Sequence, residues 1–247
     1  MLPLLSLLML ADGVEGVQRN EVSSRQRRQT NAGACVGPCL AEMSEAMGAH
    51  MESTQGILSY SLYDQDNLAK FCRSYRRGKL CLEDCGVSRL RDLMLNTFKA
   101  IDFICVDHYQ ELLEHIPCYR KAEPAFRAAC SRQCDGFQEL RRIKEEQAVI
   151  TAPIDQSTKT NIDGLSVVLA QMCSVLDCEL ECQKGIIEAE CAGHSGADIF
   201  LRRFATEGAR PLERMLWDAG AANYWPESCE KLAASAAKPV AIAPESA

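Results

Sequence analysis

The cysteines constrain this chain more than any other feature of its sequence. Fourteen of them occur among 247 residues. Chains of reducing compartments rarely carry so many, whereas secreted chains use cysteines as covalent staples. The even count allows seven disulfides, each of which would stabilise the fold by about 2–4 kcal/mol by restricting the unfolded chain. We therefore expect every cysteine to be oxidised: Cys35, Cys39, Cys72, Cys81, Cys85, Cys105, Cys118, Cys130, Cys134, Cys173, Cys178, Cys182, Cys191 and Cys229.

The spacing of the cysteines predicts how they are bridged. Four pairs have the form Cys-x-x-x-Cys, at positions 35/39, 81/85, 130/134 and 178/182. Residues four apart lie on one face of an α-helix, so two antiparallel helices can be laced by two parallel bridges. The spacing leaves the connectivity open, but this geometry favours Cys35–Cys85, Cys39–Cys81, Cys130–Cys182 and Cys134–Cys178. Structural zinc is not favoured, because the chain has no Cys-x-x-Cys pair.

The cysteine pattern also repeats along the chain. A Cys-x-x-x-Cys pair is followed by 32 residues before Cys72 in the first half and by 38 residues before Cys173 in the second. The repeat predicts two related units, at about 35–118 and 130–229, with the boundary between Cys118 and Cys130. Each unit then holds seven cysteines, so at least one bridge must join the halves if all are oxidised within one chain. We expect the two units to behave as one body.

Hydrophobic periodicity predicts an all-α fold of disulfide-laced helical hairpins. Two stripes have the three- and four-residue intervals of a helix face. They are Val87, Leu90, Met94, Ile101 and Cys105, and Leu165, Val168, Leu169, Met172, Cys173 and Leu176.

The ends of the predicted elements follow from composition. Pro211 suits the first turn of a helix that carries Leu212, Met215 and Leu216. Residues 148–161, rich in Thr and Ser, are predicted to form a loop. The Ala- and Pro-rich residues 233–247 are predicted to be a disordered tail.

The amino end has the pattern of a secretory precursor. Residues 2–10 form an apolar run of signal-peptide length, and small residues precede the cleavage site predicted after Gly16. Arg25, Arg27 and Arg28 form the Arg-x-Arg-Arg pattern read by furin-like convertases. We therefore expect a signal peptide (1–16), a propeptide (17–28) and a mature cysteine-rich domain (29–232).

Charge and hydropathy limit the partners of this mature chain. Residues 29–247 hold 23 Lys and Arg against 31 Asp and Glu, a net charge of −8. This excess argues against nucleic acid and anionic membranes as main partners. The local cluster Arg73, Arg76, Arg77 and Lys79 is interpreted as a solvated helix face. No stretch after the amino-terminal run is long and apolar enough to predict a membrane span.

Two segments resemble the nematode chondroitin proteoglycan 4 domain family. They are residues 67–75 (NLAKFCRSY), continuing to 81–85 (CLEDC), and residues 172–182 (MCSVLDCELEC), leading to Cys191. The resemblance spans roughly Cys35 to Cys229. It implies a secreted protein of the extracellular or eggshell matrix, and it supplies no catalytic residues.

Chondroitin attachment requires an accessible Ser-Gly dipeptide, and this chain offers one. Ser195 precedes Gly196, with acidic residues nearby. Ser195 followed by Asp198 and an apolar pair also has the pattern of a helix cap, and we favour that interpretation.

Candidate catalytic and metal-binding patterns are weak. His108, Glu111 and His115 have the spacing of one helix face, but the His-Glu-x-x-His order of a zinc protease is missing. We predict no enzyme activity, no cofactor and no metal. The favoured function is a structural or binding protein, whose partner is an unidentified extracellular protein or matrix component. An extracellular carrier of a lipid or other apolar ligand and a processed signalling ligand are the alternatives.

Overall fold

A computed structural model describes residues 34–44, 60–134, 158–191, 193–194, 196–218 and 220–236. These residues are helical with short connections, and none of those described forms a β-strand. The predicted all-α class is therefore confirmed. The predicted processing residues Gly16, Arg25, Arg27 and Arg28, the candidate glycan residue Ser195 and most of the predicted tail lie outside the described residues.

The helices are numbered here in chain order. In the first half, residues 34–44 form α1, and α2 (Gln65–Asp84), α3 (Arg89–Thr97), α4 (Lys99–Asp102) and α5 (Tyr109–Ala125) follow. In the second half the helices are α6 (Ser131–Gln133), α7 (Thr158–Glu190), α8 (Ala197–Asp218) and α9 (Glu227–Ala236). Short 3₁₀ turns span Tyr60–Tyr63 and Ala222–Tyr224, and π-helical turns span Phe103–Asp107 and Phe126–Cys130.

The chain divides into two compact units between Arg120 and Lys121. This point lies in the interval between Cys118 and Cys130 where the cysteine repeat places the boundary.

In the first unit, two bridges lace α1 to α2. Cys35 is bonded to Cys85 and Cys39 to Cys81, with Cα–Cα distances of 5.8 and 5.6 Å. Both pairings are those expected from antiparallel helices, and they are confirmed. A third bridge joins Cys72, farther back in α2, to Cys105 in the π-helical turn.

The second unit repeats this bridging pattern. Cys130 is bonded to Cys182 and Cys134 to Cys178, with Cα–Cα distances of 5.6 and 5.7 Å, as predicted. The third bridge joins Cys173 of α7 to Cys229 of α9. The remaining cysteines, Cys118 and Cys191, are also disulfide-bonded, and no cysteine of the chain is free.

The central helix of the first unit is fixed by a cap and by an apolar face. Asp64 accepts hydrogen bonds from the backbone N–H groups of Asp66 and Asn67, both at 3.1 Å, so α2 begins at Gln65. Its buried residues are Leu68, Phe71, Cys72, Tyr75, Gly78 and Leu82. Their three- and four-residue intervals form one face that packs against the rest of the unit.

The second unit is built on α7, which packs against both α8 and α9. The predicted stripe is buried at Val168, Leu169, Met172 and Cys173. Two serine hydroxyls add connections by donating to backbone carbonyl groups, Ser166 to Tyr224 at 2.6 Å and Ser228 to Ala170 at 2.9 Å. The apolar stripe and these hydrogen bonds hold α9 and the 3₁₀ turn before it against α7.

Two predicted helix starts differ from the structure. Val87 lies outside α3 and is exposed, because the Ser88 hydroxyl accepts a hydrogen bond from the Arg91 N–H and starts the helix at Arg89. Pro211 does not start a helix but lies well inside α8. The buried stripe through Phe204 and Leu212 continues across this position, and its packing outweighs the missing proline N–H.

The predicted loop and tail are shorter than expected. Thr158 begins α7, so the last four residues of the predicted loop are helical. The tail was predicted from Ala233, but α9 continues to Ala236. Alanine favours the helix, and Leu232 and Ser235 anchor its last turns through burial and a hydrogen bond to Arg202. Residues 237–247 lie outside the described residues.

No helix among the described residues is long and apolar enough to cross a membrane.

Gly78 provides a test of the close approach of α1 and α2. A Cβ atom at this position would lie 2.7 Å from the Cβ of Met43. We expect Gly78→Ala to lower the free energy of unfolding by about 1–3 kcal/mol through overpacking.

Gly185→Ala is the matched control, because a Cβ at Gly185 would meet no atom within 4 Å. This change should raise stability by up to about 1 kcal/mol through helix propensity. Chemical denaturation of the oxidised proteins measures both effects. Equal responses of the two variants would contradict the packing described.

Candidate functional site

A buried carboxylate forms the main polar cluster of the first unit. Asp102, at the end of α4, is 4% exposed. Its Oδ1 accepts hydrogen bonds from the Tyr75 hydroxyl at 2.9 Å and from Lys79 Nζ at 2.6 Å. Lys99 Nζ lies 3.6 Å from Oδ2. Tyr75 and Lys79 are one turn apart on α2, so the helix directs both side chains to the same acceptor.

The protonation state of Tyr75 limits what this cluster can do. Burial, together with the neighbouring Asp102 charge, raises the pKa of the Tyr75 phenol far above its usual range. The phenol is therefore a hydrogen-bond donor at neutral pH and not a general base. With its partners on both oxygens, Asp102 connects α2 to α4, which is a structural task.

A buried cation forms the main polar cluster of the second unit. Arg202 of α8 is 5% exposed. Its guanidinium contacts Asp177, at 3.6 Å from Oδ1, and Glu181, both on α7. It also donates to the Ser235 hydroxyl of α9 at 2.9 Å. One side chain thus joins three helices. Arg202 was not predicted from the sequence, where the only local indication is the acidic pair, Asp177 and Glu181, beside Cys178 and Cys182.

The basic cluster of α2 is more engaged than a solvated helix face. Two guanidinium N–H groups of Arg76 donate to the carbonyl oxygen of Cys105 at 3.1 and 2.6 Å, and the guanidinium carbon lies 5.5 Å from the Tyr109 ring centroid. Lys79 is bound to Asp102. The solvated-face interpretation is therefore wrong for Lys79, which is partly buried, whereas Arg76 stays exposed although its guanidinium is hydrogen-bonded.

The other two members of the basic cluster are exposed, as Arg76 is. Arg77 forms an exposed ion pair with Glu42 at 3.4 Å, and Arg73 is exposed.

The side chains of the candidate metal ligands His108, Glu111 and His115 do not meet at one point. His108 Nδ1 lies 2.8 Å from Glu111 Oε2. His115 is buried, with its ring centroid 6.0 Å from that of Tyr119. Within the described residues, the one group of side chains close enough to share a metal is Cys35, Cys39 and Cys85, whose sulfurs are used in disulfides. The three candidate ligands therefore do not form a metal site in this conformation.

The candidate glycan dipeptide adjoins the start of α8. Gly196 has φ 92°, in the left-handed region that favours glycine. The helix begins at the next residue, Ala197. Of this dipeptide, Ser195 lies outside the described residues, so the predicted cap stays a prediction.

Two further polar residues of α7 are buried. Glu179 is 4% exposed, and this burial raises the pKa of its carboxyl group. Gln183, one turn later, is 1% exposed. Neither its Oε1 nor its Nε2 has a hydrogen-bond partner in the described part of the chain. Burial of these two residues was not predicted from the sequence, because a polar residue on a long helix is usually exposed.

Asp102 provides a test of the first cluster. We expect Asp102→Asn to lower the free energy of unfolding by about 2–3 kcal/mol, because Lys79 loses its buried countercharge. Asp92→Asn is the control, since Asp92 pairs with Arg91 at an exposed position and should change stability by less than about 1 kcal/mol. Denaturant unfolding of both variants measures the difference. Equal effects would show that burial adds nothing at Asp102.

Glu179 gives a pH-dependent prediction. A carboxyl group with a raised folded-state pKa binds its proton more tightly in the folded than in the unfolded chain, so its effect on stability becomes unfavourable as pH rises. We expect Glu179→Gln to raise the melting temperature at pH 7. The gain should vanish below pH about 4, under the unfolded-state pKa of a glutamate.

Glu188→Gln is the matched control on the same helix, since Glu188 is exposed. Thermal unfolding of both variants between pH 4 and pH 7 gives the comparison. A gain at Glu179 that does not depend on pH would rule out ionisation as its cause.

Comparisons with known proteins place the chain in a family. Searches of curated proteins and of solved structures found no match. A family model described as uncharacterized protein B0403.3 matches residues 57–245. This match covers most of the chain, including the central helices of both units. The chain therefore belongs to the family of uncharacterized protein B0403.3.

Proposed function

We propose that this chain is a secreted structural or binding protein of the extracellular matrix, without catalytic activity. The observation that carries the proposal is the complete oxidation of its cysteines, with none left free. A reducing compartment would open such bridges, whereas an oxidising one preserves them. The predicted signal peptide (1–16) and the convertase pattern at Arg25, Arg27 and Arg28 point to the same compartment.

The use of the buried charges supports a structural role. Asp102 and Arg202 are the most enclosed charged groups of their clusters, and each joins side chains from different helices. Such groups resist reorganisation and hold helices in place. On this proposal, specificity belongs to exposed helix faces and loops.

The resemblance to the chondroitin proteoglycan 4 domain family supports a matrix location in particular. It rests on the segments around Cys72 and Cys178. We propose that the chain shares the extracellular location of that family but does not carry chondroitin. Ser195 offers the one Ser-Gly dipeptide of the chain, and its spacing from Asp198 before an apolar pair favours a helix cap on sequence grounds.

Expression of the full chain in secretory cells tests this proposal. We expect the protein to reach the medium, to begin at Gln29 and to gain two hydrogens per bridge on reduction, as measured by intact mass. We also expect it to co-fractionate with insoluble matrix. A Cys130→Ser/Cys182→Ser variant is the control, and it should lose matrix retention if the native fold is required.

The outcomes separate the proposal from its alternatives. An apolar molecule co-purifying with the protein would favour the carrier. Binding to cell surfaces that depends on cleavage after Arg28 would favour the signalling ligand. Retention inside the cell with mostly free thiols would overturn the secreted assignment. Added mass at Ser195 that a chondroitin-degrading enzyme removes would overturn the expectation of an unmodified serine.

A further inference from the structure

Gln183 is the least satisfied buried polar side chain among those described on α7. It is 1% exposed, and both of its polar atoms lack a hydrogen-bond partner in the described residues. A primary amide offers two N–H donors and one carbonyl acceptor. Leaving such a buried group unpaired is destabilising, because it has lost its hydrogen bonds to water without replacement. An apolar side chain would fill this position without leaving a polar group unpaired, so packing alone does not explain a glutamine.

Glu179 lies one turn earlier on the same face of the helix. Side chains at i and i+4 have Cβ atoms about 5–6 Å apart. The Glu179 carboxyl is 4% exposed, and its burial favours the neutral, protonated form, which donates an O–H. Two buried groups with donors and acceptors therefore stand side by side within an otherwise apolar stripe that includes Leu180 and Ile187.

Native proteins pair most buried polar groups with protein atoms or with a bound molecule. A buried water commonly makes about three hydrogen bonds to groups that lack protein partners. The chemistry of the two residues narrows the choice of molecule. An anion would offer no donor to the Gln183 carbonyl, and a cation would leave both N–H donors of Gln183 unpaired. A neutral oxygen that both donates and accepts pairs the Gln183 carbonyl and one of its two N–H donors.

We propose that Gln183 and Glu179 form a binding site for one hydroxyl group. The hydroxyl donates to Gln183 Oε1 and accepts from Gln183 Nε2, and the buried Glu179 carboxyl is the neighbouring polar group on the same helix face. The group comes either from an ordered water molecule or from the hydroxyl of a small organic ligand. This site is independent of the proposed matrix function.

Substitution by methionine tests the proposal, because methionine keeps the length of glutamine and removes its polar atoms. With a bound hydroxyl, Gln183→Met should lower the midpoint of chemical denaturation, since the hydroxyl loses its partners. Gln171→Met, at a partly exposed position of the same helix, is the control and should leave the midpoint nearly unchanged. An increase in the midpoint for Gln183→Met would overturn the proposal, because it would mean that the Gln183 amide has no hydrogen-bond partner.

Two measurements on the full oxidised protein identify the group. Nuclear Overhauser transfer from water to the side-chain amide of Gln183 detects an ordered water, and the Gln183→Met variant assigns that signal. Native mass spectrometry followed by denaturation detects an organic ligand. A water signal without added mass supports the water, and added mass that Gln183→Met removes supports the organic hydroxyl. Absence of both overturns the proposal even if Gln183→Met is destabilising, since that loss would then reflect packing.

Discussion

Pairs of disulfides between antiparallel helices are the constraint on which both units depend. In the first unit the Cys39–Cys81 bridge lies inside the loop closed by Cys35–Cys85. The entropy gained by cross-linking grows with the length of the loop that is closed. Once one bridge of such a pair has formed, the other closes only a short path and adds less to stability. Its main effect is to fix the rotation and register of the two helices.

The third bridge shows how the same design tolerates different spacings. Cys72 precedes Cys81 by nine residues, whereas Cys173 precedes Cys178 by five. The difference of four residues is close to the ~3.6 residues of one helical turn, so the third cysteine keeps its face in both units. That face lies roughly opposite the lacing pair, because nine residues advance the helix by about 180° and five by about 140°. Each central helix is therefore bonded on two sides.

The sequence predicted what depends on local periodicity and missed what depends on packing. The lacing bridges followed from i, i+4 geometry, and the buried stripe of α7 followed from its helical intervals. Pro211 was wrongly predicted to start a helix, because that prediction used only the neighbouring sequence. The buried residues Phe204 and Leu212 continue the helix across Pro211.

Arg202 and Gln183 were missed for a related reason. Burial of a polar side chain is decided by residues far away in the chain, such as Ser235 for Arg202. Asp102 illustrates the same point, since two of its partners come from α2 and the carboxylate itself from α4. Position along one helix does not reveal such partners.

The overlap of the bridges has a mechanical consequence. Cys173 lies within the loop closed by Cys130–Cys182, and it is bonded onward to Cys229. A pulling force that enters at Cys130 therefore crosses to Cys182, returns nine residues to Cys173 and leaves through Cys229. At about 3.5 Å per extended residue, this path lengthens to only about 30 Å even if every helix unfolds. The second unit would behave under tension as a short, nearly inextensible link.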